Sequence, residues 1–257
     1  MKRALLGLLI GCLTVVFAGA AFAGQNTEAA IAVHIGKKLT VAKGSICDQA
    51  PDFFAGGVPK GPELFRVRDA NCPPMGDPLN PTVFDVWLVL CGGNDSVGVA
   101  GVEYGLEYDY ASGSGIDVQN WVSCTDLEFK NPGFPFVPNT GNVQTWDRFN
   151  HCQRTSQVTT LGSKQVVVPN SVFAVIGWLR VVVRGSDELS TGPRPITGKM
   201  KVADCESKED DITARIESRG SATFCSNRLG YNPCATSNLA VEDATWGRIK
   251  TLFNDGQ

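Results

Sequence analysis

Histidine is nearly missing from this chain: His34 and His151 are the only two among 257 residues. None of the nine cysteines stands in C-x-x-C spacing. A Cys/His zinc site therefore lacks both its ligands and their usual spacing. The G-x-S-x-G elbow that presents a nucleophilic serine is also absent. A serine triad would have to join His151 to Asp147 without that elbow, and geometry rather than residue type defines a triad. There is no block of basic residues, which argues against binding to nucleic acid or to anionic membranes. Long apolar runs are missing everywhere except at the N-terminus.

That one run reads as an export signal. Met1-Lys2-Arg3 is a short basic region, Ala4 to Ala20 is apolar apart from Thr14, and Ala21-Phe22-Ala23 is an A-x-A cleavage signal ahead of Gly24. The run reaches about the minimum length of a membrane span. The small residues at the cleavage positions, and the polar Gly24-Gln25-Asn26-Thr27 behind them, favour cutting instead. Leu9-Ile10-Gly11-Cys12 resembles a bacterial lipobox, so lipidation of Cys12 is the alternative to cleavage after Ala23. Against it, the chain stays apolar beyond Cys12. Cleavage leaves 234 residues, 21 basic and 26 acidic, with a net charge of −5. The expected location is secreted, extracellular or periplasmic, with association at the cell surface and no membrane span after cleavage.

Removing Cys12 leaves eight cysteines: Cys47, Cys72, Cys91, Cys124, Cys152, Cys205, Cys225 and Cys234. An even number in an exported chain predicts four disulfides. Cys225 and Cys234 enclose a stretch rich in turn residues and form the first expected bridge. Order along the chain then suggests Cys47 with Cys72 and Cys124 with Cys152, which leaves Cys91 with Cys205.

The pattern is β-rich. Val83 to Leu90 (VFDVWLVL) is almost continuously apolar, as suits a strand buried on both faces. In Val102 to Tyr110 the residues Val102, Tyr104, Leu106, Tyr108 and Tyr110 alternate with Glu103, Gly105, Glu107 and Asp109, so an apolar face meets a core and an acidic face meets solvent. Further strands are expected at Ala30–Ile35, Leu64–Val67, within Ile116–Phe129, at Gln165–Val168 and Val172–Val183 across a Pro169-Asn170 turn, and at Lys199–Ala203. Ile212 to Ile216 alternates as well, with Ala222–Cys225 as its hairpin partner. Short strands separated by turn residues predict an all-β fold: a disulfide-stapled antiparallel β-sandwich, jelly-roll or Ig-like. The expected organisation is a signal peptide over 1–23, one sandwich domain over 24–238 with an irregular insertion near 130–163, and a tail over 239–257. In that tail Trp246, Ile249 and Phe253 share one face of a short C-terminal helix, suited to docking on the sandwich or on another component.

Several stretches resemble a family of uncharacterised exported proteins of uncultured environmental bacteria. They are DVWLVL (Asp85–Leu90), GVAGVEYGLEYD (Gly98–Asp109), GIDVQNWVSCTDLEF (Gly115–Phe129), Thr145-Trp146 near NHCQ (Asn150–Gln153), VADC (Val202–Cys205) and the ending TWGRIKTLF (Thr245–Phe253). The resemblance implies no activity. GVAGVEYGLEYD by itself is similar to strands of cohesin-type extracellular sandwiches, which implies a sandwich fold but no function.

Three groups of residues suggest chemistry. Glu103, Glu107 and Asp109 share a strand face. Glu103 and Glu107 lie roughly 13 Å apart along it, and side-chain tilt brings such a pair into the range of an inverting glycosidase. The plainer reading is a solvated acidic face. No cofactor is called for, but calcium suits two oxygen-rich segments, Asp109, Ser112, Ser114 and Asp117 in one and Asp204 to Asp211 in the other. Neither matches an EF-hand, and the plainer reading is two solvated loops. Trp121, Phe134, Phe136, Trp146 and Phe149 form the aromatic set of a sugar-stacking face, against the plainer reading of a satellite core under a long loop. Together these features favour a non-enzymatic extracellular module for adhesion, surface structure, or binding a glycan or surface protein. The alternative is an exported hydrolase that cuts polysaccharide with a carboxylate pair.

Overall fold

The computed structural model describes residues 24–36, 47, 54–55, 58–59, 68–69, 82–111, 114–161 and 164–236. Most of them belong to two antiparallel sheets packed as a β-sandwich. The first sheet runs in the order β1 (Ala30–Gly36), β5 (Thr82–Gly93), β12 (Lys164–Val183), β8 (Ser114–Ser123) and β7 (Tyr110–Ala111), with β11 (Ser156–Leu161) also paired to β12. The second is built around β6 (Gly101–Glu107). Along one side of β6 runs β10 (Thr140–Thr145), which carries β9 (Leu127–Lys130) at the edge. Two strands share the other side: β13 (Asp187–Gly192) opposite residues 105–107, and β14 (Lys201–Ala203) opposite residues 101–103. From β13 the sheet continues to β16 (Ser221–Phe224) and a parallel β4 (Arg68–Asp69), and from β14 to β15 (Glu209–Asp211). A small ribbon pairs β2 (Phe54–Ala55) with β3 (Val58–Pro59), and one helical turn, α1, covers Pro233–Thr236.

The continuous apolar run of β5 does what its pattern predicts. Val86, Leu88 and Leu90 enter the core between the sheets. Trp87, Val89 and Cys91 enter a second apolar layer on the other face, with Ala30, Ala32, Phe173, Trp178 and Cys234. Asp85 interrupts the run and is fully buried. Arg180 Nε stands 3.1 Å from its carboxylate, and the same guanidinium lies 5.0 Å from the Trp178 ring centroid. The alternation in β6 also holds, with Val102, Tyr104 and Leu106 in the core.

Three strand expectations are corrected. Pro169-Asn170 is not a turn between strands, because β12 runs through it. Pairing with β11 jumps there from Val167 to Val172, and a proline without an N–H fits such an irregularity. Residues 130–163 are less irregular than expected, since they contain β10 and the whole of β11. The sequence TGNVQT of β10 hides its strand because its inward side chains, Asn142 and Gln144, are polar and fully buried. Ile212 to Ile216 is not a strand: Ile212 is buried, while Ile216 opens a 3-10 turn and is 74% exposed. Ala222–Phe224 pairs with β13 instead. The Leu64–Val67 strand and the C-terminal helix with Trp246, Ile249 and Phe253 lie outside the described residues, as does the signal segment with Cys12.

The disulfides also depart from chain order. They join Cys47 to Cys124, Cys91 to Cys234 and Cys152 to Cys205, across separations of 77, 143 and 53 residues. Cys225 is disulfide-bonded too, and Cys72 lies outside the described residues. Neither the turn-rich Cys225–Cys234 bridge nor the other three expected pairs forms. The sheets bring together strands distant in sequence, so cysteines meet by topology: Cys91 near the end of β5 meets Cys234 of the turn α1, and Cys124 follows β8.

Candidate binding surface

The outer face of the second sheet is smooth at its centre because glycines replace side chains there. A Cβ on Gly105 would stand 2.5 Å from the Pro193 carbonyl oxygen, and one on Gly141 would stand 2.6 Å from Arg194 Cγ. The segment Pro193–Lys199 between β13 and β14 lies in this trough as a flap. Its own Arg194–Lys199 bridge closes it. Glu103 holds it down, with Arg194 Nη1 at 3.5 Å and the Thr197 hydroxyl donating at 2.6 Å. Arg194 Nη2 also donates to the Phe129 carbonyl of β9, at 3.2 Å.

Either side of the flap the face changes character. Towards β14 and β15 its charges are paired, Lys199 with Asp211 at 2.6 Å and Lys201 with Glu209 at 2.7 Å. Lys199, with the Thr213 hydroxyl and backbone, lowers the Asp211 carboxyl to about 2. Towards β9 the face is apolar. Leu127 and Phe129 on β9, Phe136 and Val137 in the loop to β10, and Ile196 on the flap are all 48–69% exposed. Strand β9 pairs only with β10 among the described strands. Beneath it lies a polar network. Trp121 Nε1 and Asn142 Nδ2 donate to one oxygen of Glu128, at 2.9 and 3.0 Å, and Lys130 meets the other at 2.7 Å. Burial alone would raise the Glu128 carboxyl, but these hydrogen bonds outweigh it and hold it below its ordinary value. The Tyr104 hydroxyl donates to Gln144 at 2.5 Å, and Gln144 Nε2 donates to Ser123 Oγ at 2.8 Å.

The aromatic set does not form a row on one face. Trp121, Phe134 and Trp146 are core residues, and Phe134 meets Trp121 and Tyr104 edge-on at 5.4 and 6.0 Å. Only Phe136 and Phe149 are exposed. Phe149 stands apart on a turn capped by Asp147, with Arg148 over its ring at 4.5 Å.

The carboxylates of β6 do not face one another either. Glu103 lies under the flap. Glu107 and Asp109 line a cleft of about 500 Å³ with Asp187, Glu188, Ser190 and Arg228. The calcium set is likewise not assembled. Asp117 turns to Arg184, at 3.9 Å, and to Gln119. Ser114 is exposed on β8, and Ser112 lies outside the described residues. The hub of this hairpin is Asp187, which accepts hydrogen bonds from the backbone of Asp109 and Ile116 and whose carboxyl burial raises above its ordinary value. In the second acidic segment each carboxylate has its own task. Asp204 accepts from the backbone of Glu206 and Lys208, Glu206 pairs with Lys208, and Asp210 accepts from Asn26. No group of three or more His, Cys, Asp or Glu among the described residues is arranged to hold a metal.

Of the two histidines, His34 is buried in β1. His151 Nδ1 meets Asp126 at 2.8 Å, not Asp147, whose carboxylate caps Phe149 and Asn150. The Pro193–Lys199 flap, Asp187 and Asp126 were all missed in the sequence. Only Gly105 and Gly141, glycines inside strands, signalled the flap, since a strand glycine marks a face that something approaches closely.

No family model matches the chain, and no curated protein does. Among solved structures the chain is similar to the cohesin module of a family 33 glycoside hydrolase from Clostridium perfringens, at 12% identity over 76% of this chain and 95% of that one, with a TM-score of 0.35. It is also similar to a type I cohesin–dockerin complex from Clostridium thermocellum, at 11% identity over 76% and 93%, with a TM-score of 0.38. These neighbours are of the type that Gly98–Asp109 resembles, and at such scores they add nothing to the sandwich defined by its own strand pairing. The resemblance to exported proteins of environmental bacteria has no matching family model behind it. Among the described residues no helix is long and apolar enough to cross a membrane.

Proposed function

We propose that this chain is a non-enzymatic extracellular binding module that holds a protein partner on the outer face of its second sheet, at the β9–β10 hairpin and the adjoining flap. One observation carries the reading: five large apolar side chains, Leu127, Phe129, Phe136, Val137 and Ile196, stand about half exposed or more on this hairpin and flap. Clustered apolar exposure marks an interaction surface, whereas scattered exposure does not. Partner-binding surfaces also place such anchors on a rigid support. Here Glu128 and Gln144 lock β9 and β10 from beneath, and Glu103 pins the flap. The long-range disulfides suit an oxidising, extracellular setting. A polysaccharide hydrolase is disfavoured because Glu103 is engaged by Arg194 and Thr197, away from Glu107.

The test is a pull-down from cell-surface extract, with a glycan array in parallel, using the exported protein with and without residues 239–257. The double variant Leu127→Ser, Phe129→Ser loses the captured partner, while Leu229→Ser and Ile216→Ser, both exposed outside the hairpin and flap, keep it. If the hairpin variant bound the same partner as tightly as the wild type, this surface would be wrong. Capture of glycan alone would put the sugar-binding reading in its place.

A further inference from the structure

Among the described residues Asp210 is a buried carboxylate without a cation. It occupies the inward position of β15, opposite Val202 of the core, and is 6% exposed. Its neighbours Glu209 and Asp211 point outward to Lys201 and Lys199. No lysine or arginine among the described residues pairs with Asp210. Its Oδ2 accepts the backbone N–H of Asn26 at 2.7 Å. Its Oδ1 lies against Gly24, where it takes the place of a Cβ. The nitrogen of Gly24 is two bonds from that point and so stands beside the carboxylate. Burying a carboxylate with one hydrogen bond and no counter-charge is costly.

Gly24 is also the residue that follows the A-x-A signal. We propose that export processing between Ala23 and Gly24 supplies the missing counter-ion, the new α-ammonium of Gly24 docking on Asp210. Hydrolysis of that peptide bond by a signal peptidase adds one water, leaving a carboxylate on Ala23 and an amine on Gly24 that takes up a proton at neutral pH. Before cleavage the same nitrogen is a neutral amide. A side chain on the first mature residue would meet the Asp210 carboxylate and displace it. Asn26 clamps the segment: its side chain donates to the Gly98 carbonyl and accepts from the Asn94 N–H. The other charges nearby are already engaged. Arg215 pairs with Glu28 at 3.1 Å and donates to the Thr27 carbonyl. Across the 94–97 turn, Asp95 accepts from Ser156. This inference depends on the export signal and not on the partner surface, so either can fail without the other.

The exported protein is purified and its intact mass determined, and its α-amine is then labelled with an acylating reagent at pH 7. The expected mass begins at Gly24. The amine reacts at least about tenfold more slowly than that of a free peptide, since each pH unit by which the carboxylate raises the amine's pKa removes tenfold of its reactive form. Asp210→Asn restores the ordinary rate. A second form, with two extra residues between Ala23 and Gly24, melts at a lower temperature than the wild type, and this measurement does not depend on Asp210→Asn folding. A mature chain that starts elsewhere, an α-amine of ordinary reactivity, or an extended form of unchanged stability would each overturn the proposal.

Discussion

The two sheets of this sandwich are built from different chemistry. The first is apolar on both faces: β5 and β12 send Val and Leu into the shared core and Trp87, Val89, Phe173 and Trp178 into a second layer behind it. The second contributes Tyr104, Leu106 and Phe224 to the same core. In its β9–β10 corner, however, polar side chains face inward, and its outer face carries glycines, a flap and half-exposed aromatics. A sheet buried on both faces contributes area and little else. A corner that is polar inside and apolar outside is held by directional bonds and leaves sticky side chains facing outward. The difference separates scaffold from surface within one fold.

The largest effect should come from breaking the scaffold. Trp87→Ala removes a fully buried ring from the first sheet and should cost about 3–5 kcal/mol in denaturant unfolding. A cost below about 1 kcal/mol would mean that the second apolar layer adds little. Next comes the polar corner. Gln144→Leu keeps the volume but strands the buried Tyr104 hydroxyl, and should cost about 1–3 kcal/mol. An unchanged denaturation midpoint would mean that shape rather than hydrogen bonding holds β10. Gly141→Ala should act more locally, because its Cβ would meet both Arg194 and the Tyr104 carbonyl oxygen at 2.6 Å. Faster hydrogen exchange across residues 193–200, with exchange in β5 unchanged, is the expected signature.

The smallest effect is electrostatic and lies at the outer charged end of the second sheet. Lys199 holds the Asp211 carboxyl at about 2, below its ordinary value. A carboxyl lowered in the folded state adds stability that is complete above about pH 4 and fades as pH falls towards 2. Both side chains are more than 40% exposed, so solvent screens most of the pair. Asp211→Asn should therefore lower stability only slightly at pH 7 and not at all near pH 2, which flattens the acid limb of the profile. A marked loss at pH 7 would show a role beyond this pair.

The legibility of the chain follows the same division. VFDVWLVL announced a strand buried on both faces, and the alternation from Val102 to Leu106 announced the inward face of β6, because burial of apolar side chains leaves a period in the sequence. TGNVQT left no such trace. Its inward Asn142 and Gln144 are acceptable only because Tyr104, Ser123 and Glu128, distant in sequence, arrive to bond them. Trp121, Phe134 and Trp146 read as a stacking face because aromatic rings look alike in sequence whether they stand in a core or in solvent. Glu103 read as one of a solvated acidic row, and a flap encoded some 90 residues later covers it.

The sequence by itself determined the β class and the double burial of β5, both of which follow from local pattern. Only the tertiary structure decided which cysteines meet, which carboxylates are masked, which aromatics are buried and that Gly24 lies against Asp210. Each of these is a meeting of residues far apart along the chain, and strand order, which sets such meetings, is a property of the whole sandwich rather than of any one segment.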